Sequence, residues 1–339
     1  MEGWKLQRGE YTKEHLSEDE IWMKFNYIFS TKSVNRTSYK FCFIKSLLEN
    51  IFNVDEEGYL SFDHIYEKFS EIYWYLVIRY KLKQGDTGIN NTEKKTSIEI
   101  IFDTFIEKYP ALSRHMSFEA IDEKIKIQII NIVKQKCKRN VIGAIYGDTG
   151  GTFYSFDLAK EILKLHPDVL SFFKKYKYIL LKLNHYEWIK FLEKVNKEED
   201  SNSLVEKLDY ATKRSNLTVY RDLLYENFNR CNCFYCGRKL STSMVVDHFI
   251  PWVFVRDDKL WNFVLSCSQC NSSKSDRLAE KNYIGKLLAQ NDYIVTHSNN
   301  IYIVKKEYKI YHPKKIVKMY NCAKFNGFEA GWTPKSIND

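Results

Sequence analysis

Proline is scarce in this chain, with 5 in 339 residues, and Lys, Ile, Asn and Tyr are abundant. That bias carries no functional signal, but other absences exclude more. No stretch of about 18 consecutive apolar residues occurs, so no transmembrane helix is expected. The opening Met1-Glu2-Gly3-Trp4-Lys5 lacks the apolar run of a secretory leader. Internal repeats and low-complexity tracts are missing too. The glycine-rich Gly147-Asp148-Thr149-Gly150-Gly151 lacks the Gly-Lys-Ser/Thr ending with which a P-loop cradles phosphate, so it reads as a plain turn. Eight cysteines are too few for a disulfide scaffold in a chain of this length. Four of them form two C-x-x-C pairs, which in a reducing cytosol reads as metal binding; a cytoplasmic location is expected.

A hydrophobic content of 44% with 16% aromatics is enough to build real cores. The length exceeds one ordinary core and predicts two or three domains. The formal charge of +9 is unevenly placed. Residues 1–225 are nearly neutral, whereas residues 226–339 hold 17 Lys and Arg against 10 Asp and Glu, a surplus suited to a phosphate backbone. Apolar residues recur at helical spacing over 19–29, 38–52 and 61–80, the last with Ser61 as N-cap. Further helices are expected over 97–109, 117–137, 157–173, 185–196 and 204–227, with a loop over 84–95. The β-branched run at 141–146 and the glycines after it predict a β-hairpin near 141–156. In the C-terminal part the pattern predicts a helix over 283–288 and a strand over 301–304. The basic stretches at 305–309 and 312–315 either hold a substrate or form a solvated surface.

Chemistry concentrates between residues 233 and 274. Cys233-Phe234-Tyr235-Cys236-Gly237 and Cys267-Ser268-Gln269-Cys270 are two knuckles whose thiolates can complete a tetrahedral zinc site. With all four positions filled by thiolate, such a zinc has no open position for water and braces structure. Between the knuckles, the short β-type run Val245-Val246 ends in Asp247-His248, and Pro251 follows. Aspartate is a hard oxygen ligand suited to Mg²⁺, and a neutral histidine can take a proton from water near pH 7. A second strand is expected around 263–265, then a helix from Asn271 through Lys274 and Arg277.

The pieces D-H-x-x-P, N-x-x-L-x-C and C-x-x-C-N-x-x-K resemble the four-cysteine branch of the HNH endonucleases, over about residues 228–280. The resemblance implies a ββα-metal core. It makes His248 the general base, Asp247 a ligand of a catalytic Mg²⁺ or other divalent ion, and Asn271 its second protein ligand. Asn262 would orient the loop that holds His248, and Lys274 and Arg277 would contact substrate. Cys233, Cys236, Cys267 and Cys270 would hold the separate structural zinc. The expected architecture is α+β: a helix-rich region over 1–225, a small zinc-braced nuclease domain over 226–280, and a basic extension over 281–339 packed on it. The expected activity is metal-dependent cleavage of double-stranded DNA, with restriction or anti-phage defence as the setting by family analogy. Residues 1–225 would select the target, or contact a protein partner or a second copy. The alternatives are a non-catalytic Cys₄ zinc module that binds nucleic acid or protein, and an HNH nuclease acting on RNA.

Overall fold

The computed structural model describes residues 3–85, 95–211, 217–240, 244–298 and 301–334. The chain is α+β and divides into two compact units, Met1–Lys213 and Arg214–Asp339. Among the described residues no helix is long and apolar enough to cross a membrane.

Among the described residues, the first unit is built from the α-helices α1 (Glu18–Phe29), α2 (Tyr39–Glu49), α3 (Phe62–Tyr73), α4 (Ser97–Lys108), α5 (Glu123–Asp148), α6 (Pro167–Val195) and α7 (Ser201–Ala211). They surround a small antiparallel sheet of β1 (Arg8–Gly9), β2 (Tyr59–Ser61), β3 (Tyr154–Asp157) and β4 (Ile162–Leu165), in the order β1-β3-β4-β2. Local signals start the helices. Ser17 and Glu20 form a capping box at α1, Ser61 accepts from the Asp63 amide at α3, and Pro167 opens α6. The α2 helix is buried on nearly every side, and its Lys45 ammonium meets Glu49 one turn on at 2.6 Å. Aromatic side chains fill the core: Trp188 of α6 lies 6.4 Å from Phe41 and 6.3 Å from Tyr73, ring centre to ring centre.

Several sequence expectations are corrected here. The hairpin expected near 141–156 lies at 154–165, formed by β3 and β4. Residues 141–148 are instead the last turns of α5, where Val133, Cys137, Val141, Ile142 and Ile145 form one buried helical stripe. Helical periodicity carried over from residue 123 overrides the β-branched run. Of the helix expected over 157–173, the first part is β4 and the rest opens α6, which also absorbs the helix expected over 185–196. The helix expected over 204–227 is divided: α7 ends at Ala211, and α8 (Thr218–Asp222) leads into a π-type turn over Leu223–Asn227. Residues 86–94 of the expected 84–95 loop lie outside the described residues.

The second unit contains α8, the hairpin β5 (Val245–His248) and β6 (Phe263–Ser266), the short helices α9 (Trp252–Val255) and α10 (Ser268–Lys274), and strand β7 (Leu278–Ala279). It closes with α11 (Asn282–His297), α12 (Tyr302–Glu307), α13 (Pro313–Phe325) and β8 (Ala330–Trp332). The strand expected over 301–304 is helical, because Val304 and Glu307 turn the buried face of α12 inward. β7 and β8 pair in parallel, and the Tyr320 hydroxyl donates to the Ala279 carbonyl at 2.6 Å. Residues 281–334 are thereby tied to the hairpin region within one unit. Residues 217–225 join them too, since the Tyr220 ring packs 4.7 Å from that of Phe263.

The glycine-rich turn closes α5. Gly150 and Gly151 have φ of +65° and +72°, and the Gly151 amide donates to the Tyr146 carbonyl at 2.8 Å, a helix C-terminal cap. A Cβ on Gly151 would meet Thr12 Cγ2 at 2.7 Å and the Tyr146 hydroxyl at 2.8 Å, whereas one on Gly150 meets only the Lys24 ammonium at 3.3 Å. Gly150→Ala is therefore expected to cost about 1–2 kcal/mol, the left-handed penalty alone. Gly151→Ala adds overpacking of about 1–3 kcal/mol. Urea unfolding of the two variants checks the order.

Candidate active site and zinc brace

The β5–β6 register places Val245 opposite Ser266 and His248 opposite Phe263, with α10 following at once. The first knuckle is fastened to this hairpin by the Phe234 amide, which donates to the Leu265 carbonyl at 2.9 Å. Gly237 turns it at φ +74°, in the left-handed region that suits glycine. The second knuckle spans the first turn of α10. The sulfurs of Cys233, Cys236, Cys267 and Cys270 all lie within 4.8 Å of one another. Cys236 Sγ and Cys267 Sγ are 3.9 Å apart. Tetrahedral bonds of about 2.3 Å to zinc require sulfurs about 3.8 Å apart, so the four thiols fit such an ion. Burial pushes the Cys270 and Cys236 thiols up. Burial also raises Cys233, but backbone N–H groups of Cys236, Cys267 and Tyr235 outweigh it and hold that thiol low.

Asp247 is buried, and its Oδ2 accepts from the Tyr235 hydroxyl at 2.5 Å and lies 3.0 Å from the Lys274 ammonium. Burial, and then the Asp247 charge, keep the Tyr235 hydroxyl protonated and a donor. The Tyr235 and Lys274 contacts both fall on Oδ2, and neither falls on Oδ1. Asn271 sits directly after Cys270 on α10 and is half-buried. Asn262 holds the turn after His248: its Oδ1 accepts from the Ile250 amide at 2.9 Å, and its Nδ2 donates to the Ile250 carbonyl at 3.0 Å. His248 packs edge-on against Phe263, with 4.6 Å between ring centres. Its Nε2 lies 2.7 Å from Asp258 Oδ1, while its buried Nδ1 has no hydrogen-bond partner.

One site residue differs from expectation. Lys274 is fully buried, and its ammonium donates to the His248 carbonyl at 2.8 Å as well as meeting Asp247. It joins β5 to α10 and is not open to a phosphate. Arg277 is half-exposed, donates to the Ser273 carbonyl, and lies 4.0 Å from Glu329. Helical spacing sets Lys274 one turn beyond Asn271, but it does not show that the hairpin covers that side chain.

Sequence reasoning missed three contributors. Tyr235 lies inside the first knuckle, where it could have been noticed as a polar tip beside two ligands. Asp258 belongs to an acidic pair in the short segment between Pro251 and Leu260. Glu307 of α12 had no local signal: its carboxylate accepts from the Tyr220 hydroxyl at 2.6 Å and the Leu260 amide at 2.5 Å, anchoring the loop that carries Asp258. Burial raises the Glu307 pKa against the opposing pull of Lys259 and these donors. From α11, Gln290 and Asn291 donate to the Phe263 and Trp261 carbonyls at 2.9 and 2.8 Å, holding the strand edge beside Asn262.

Residues 233–280 match the model of the HNH endonuclease family. The chain therefore carries an HNH endonuclease domain, on a segment well short of half its length. Such a domain supports a nuclease-type hydrolase acting on nucleic acid. No curated protein and no solved structure matches the chain.

Two outcomes follow from the site. Cys270→Ser is expected to abolish zinc binding and make the second unit protease-sensitive, with the first unit still folded; metal analysis and limited proteolysis read this. Lys274→Met leaves the buried Asp247 carboxylate without its cation and is expected to cost about 3–5 kcal/mol. A urea titration measures that loss, whereas a surface phosphate ligand would leave stability unchanged.

Proposed function

We propose that the protein is a metal-dependent endonuclease that cuts double-stranded DNA, in restriction or anti-phage defence, with the helical first unit selecting the target. The observation that carries the reading is His248. Its Nε2–H donates to Asp258, so the Nδ1 lone pair is left without a protein partner, one residue from Asp247. A carboxylate that fixes the tautomer in this way presents the other nitrogen as a base. His248 Nδ1 takes the proton from the attacking water, and Phe263 and Asp258 keep the ring in place. Asp247 Oδ1 and Asn271 would hold a divalent cation such as Mg²⁺. When bound, that ion supplies positive charge to the phosphate oxygens and the leaving oxygen. Asn262 keeps the turn after β5 from shifting, and the zinc-braced knuckles keep Asp247 and Asn271 on neighbouring elements. The basic surplus of residues 226–339 supports a polyphosphate substrate.

The test is cleavage of supercoiled plasmid, single-stranded DNA and RNA with Mg²⁺ or Mn²⁺. Wild type is expected to nick plasmid and His248→Ala to lose about 10²–10⁴ in rate. Asp258→Asn should slow cleavage by up to about 10⁴-fold, because an amide at that position favours the wrong tautomer of a histidine that acts as base. Equal rates for His248→Ala and wild type would remove His248 as base. A zinc-loaded wild type that cuts none of the three substrates would leave the non-catalytic binding module as the better reading.

A further inference from the structure

A second feature of this unit lies apart from His248, Asp247 and Asn271. A cleft of about 620 Å³ opens between the segment leading into the first knuckle, Leu265 of β6, and α11. Its lining includes Arg230 and Lys286, the amides Asn229 and Asn232, and the Tyr293 ring, with no carboxylate. Arg230 is the unusual member. Its guanidinium carbon lies 4.5 Å from the centre of the Tyr293 ring, and its Nε is buried with no hydrogen-bond partner. Among the described residues neither Arg230 nor Lys286 makes an ion pair. Burial lowers the Arg230 pKa, so the fold bears the cost of holding that charge without an acid beside it.

A partly buried cation left with an unused donor is a cost to folding unless an anion completes it. The donor set indicates which anion. A planar guanidinium beside an ammonium suits the several oxygens of a phosphoryl group, and neutral amides add donors without repulsion. The volume exceeds that of a bare phosphate and falls in the range that takes a nucleotide-sized ligand. Phe234, which lines the cleft and is half-exposed, offers a ring surface to a base, while Tyr293 is stacked on His297 at 4.1 Å and backs the Arg230 guanidinium.

We propose that this cleft binds a phosphoryl group of a nucleotide unit, with Arg230 and Lys286 on the phosphate, and that the unit belongs to the nucleic-acid strand the domain holds. The proposal deepens the nuclease reading by adding a strand-holding subsite outside the cutting site. It is tested by binding alone, so a protein that binds but never cuts would sink the enzymatic reading and leave this one standing.

The experiment titrates the full zinc-loaded chain, without added Mg²⁺, into a fluorescein-labelled single-stranded oligonucleotide and follows anisotropy across a salt series. Adenosine 5′-monophosphate is measured separately by calorimetry. The variants are Arg230→Gln, Lys286→Gln and the double substitution, with zinc content and melting temperature as folding controls. Lys286 is exposed on α11 and does not threaten the fold. Each single substitution is expected to weaken oligonucleotide binding about tenfold, and the salt slope to fall by about 0.7 for each phosphate that is no longer neutralised. Adenosine 5′-monophosphate binding that is stronger than the oligonucleotide's and abolished in Arg230→Gln would overturn the strand as the source in favour of a free nucleotide. Unchanged affinity and salt slope for both ligands in a folded double variant would overturn the site itself.

Discussion

Everything the second unit places depends on four thiols meeting at one point. The two knuckles are far apart in the chain, and Cys236 and Cys267 reach 3.9 Å across 31 residues. Closing so long a loop costs conformational entropy that a small hairpin and a two-turn helix cannot offset by apolar burial alone. A metal ion bound only by the folded arrangement can offset it. The knuckles then do more than hold the hairpin. Tyr235, between the first two cysteines, reaches Asp247 with its hydroxyl, and Asn271 follows the last cysteine directly. The groups suited to a hard cation are thus placed by the residues that fit zinc.

A compact charge arrangement completes the site. Lys274 lies within reach of Asp247 and of the carbonyl of His248, so a buried carboxylate keeps a cation beside it. The balance is narrow, since a buried ion pair gains little over its desolvation cost unless hydrogen bonds complete it. Here Tyr235 supplies that further bond. On the other side of His248, Asp258 is kept in position by a loop that Glu307 and Tyr220 anchor. The C-terminal helices therefore serve the site as walls. Their Gln290, Asn291 and Glu307 side chains satisfy backbone groups of the hairpin and loop that would otherwise be buried unpaired.

The first unit rests on different physics. Its core is a continuous body of aliphatic and aromatic side chains from Leu16 to Ala211, with helices packed around the fully buried Trp188. Helical spacing made α1, α2 and α3 legible, and Ser61 caps α3 as its position implied. The region around 141–165 was not legible. A β-branched run beside glycines has the local look of a hairpin, but α5 was already under way and the apolar stripe continued through it. The two readings of that stretch differ only in what packs against it, which no window of sequence contains.

What the sequence determined by itself was the chemistry of a few close neighbours. Thiols with two residues between them can face one ion, and an Asp-His pair between such knuckles matches the HNH pattern, because those constraints act over a handful of bonds. Tertiary structure decided the rest. It buried Lys274 under the hairpin where the family resemblance had offered it to substrate, brought Asp258 to His248, and anchored the intervening loop with Glu307 from the far end of the unit. It also left Arg230 in an acid-free cleft. Spacing shows which face of an element a side chain occupies; only packing shows whether protein, water or a ligand lies against that face.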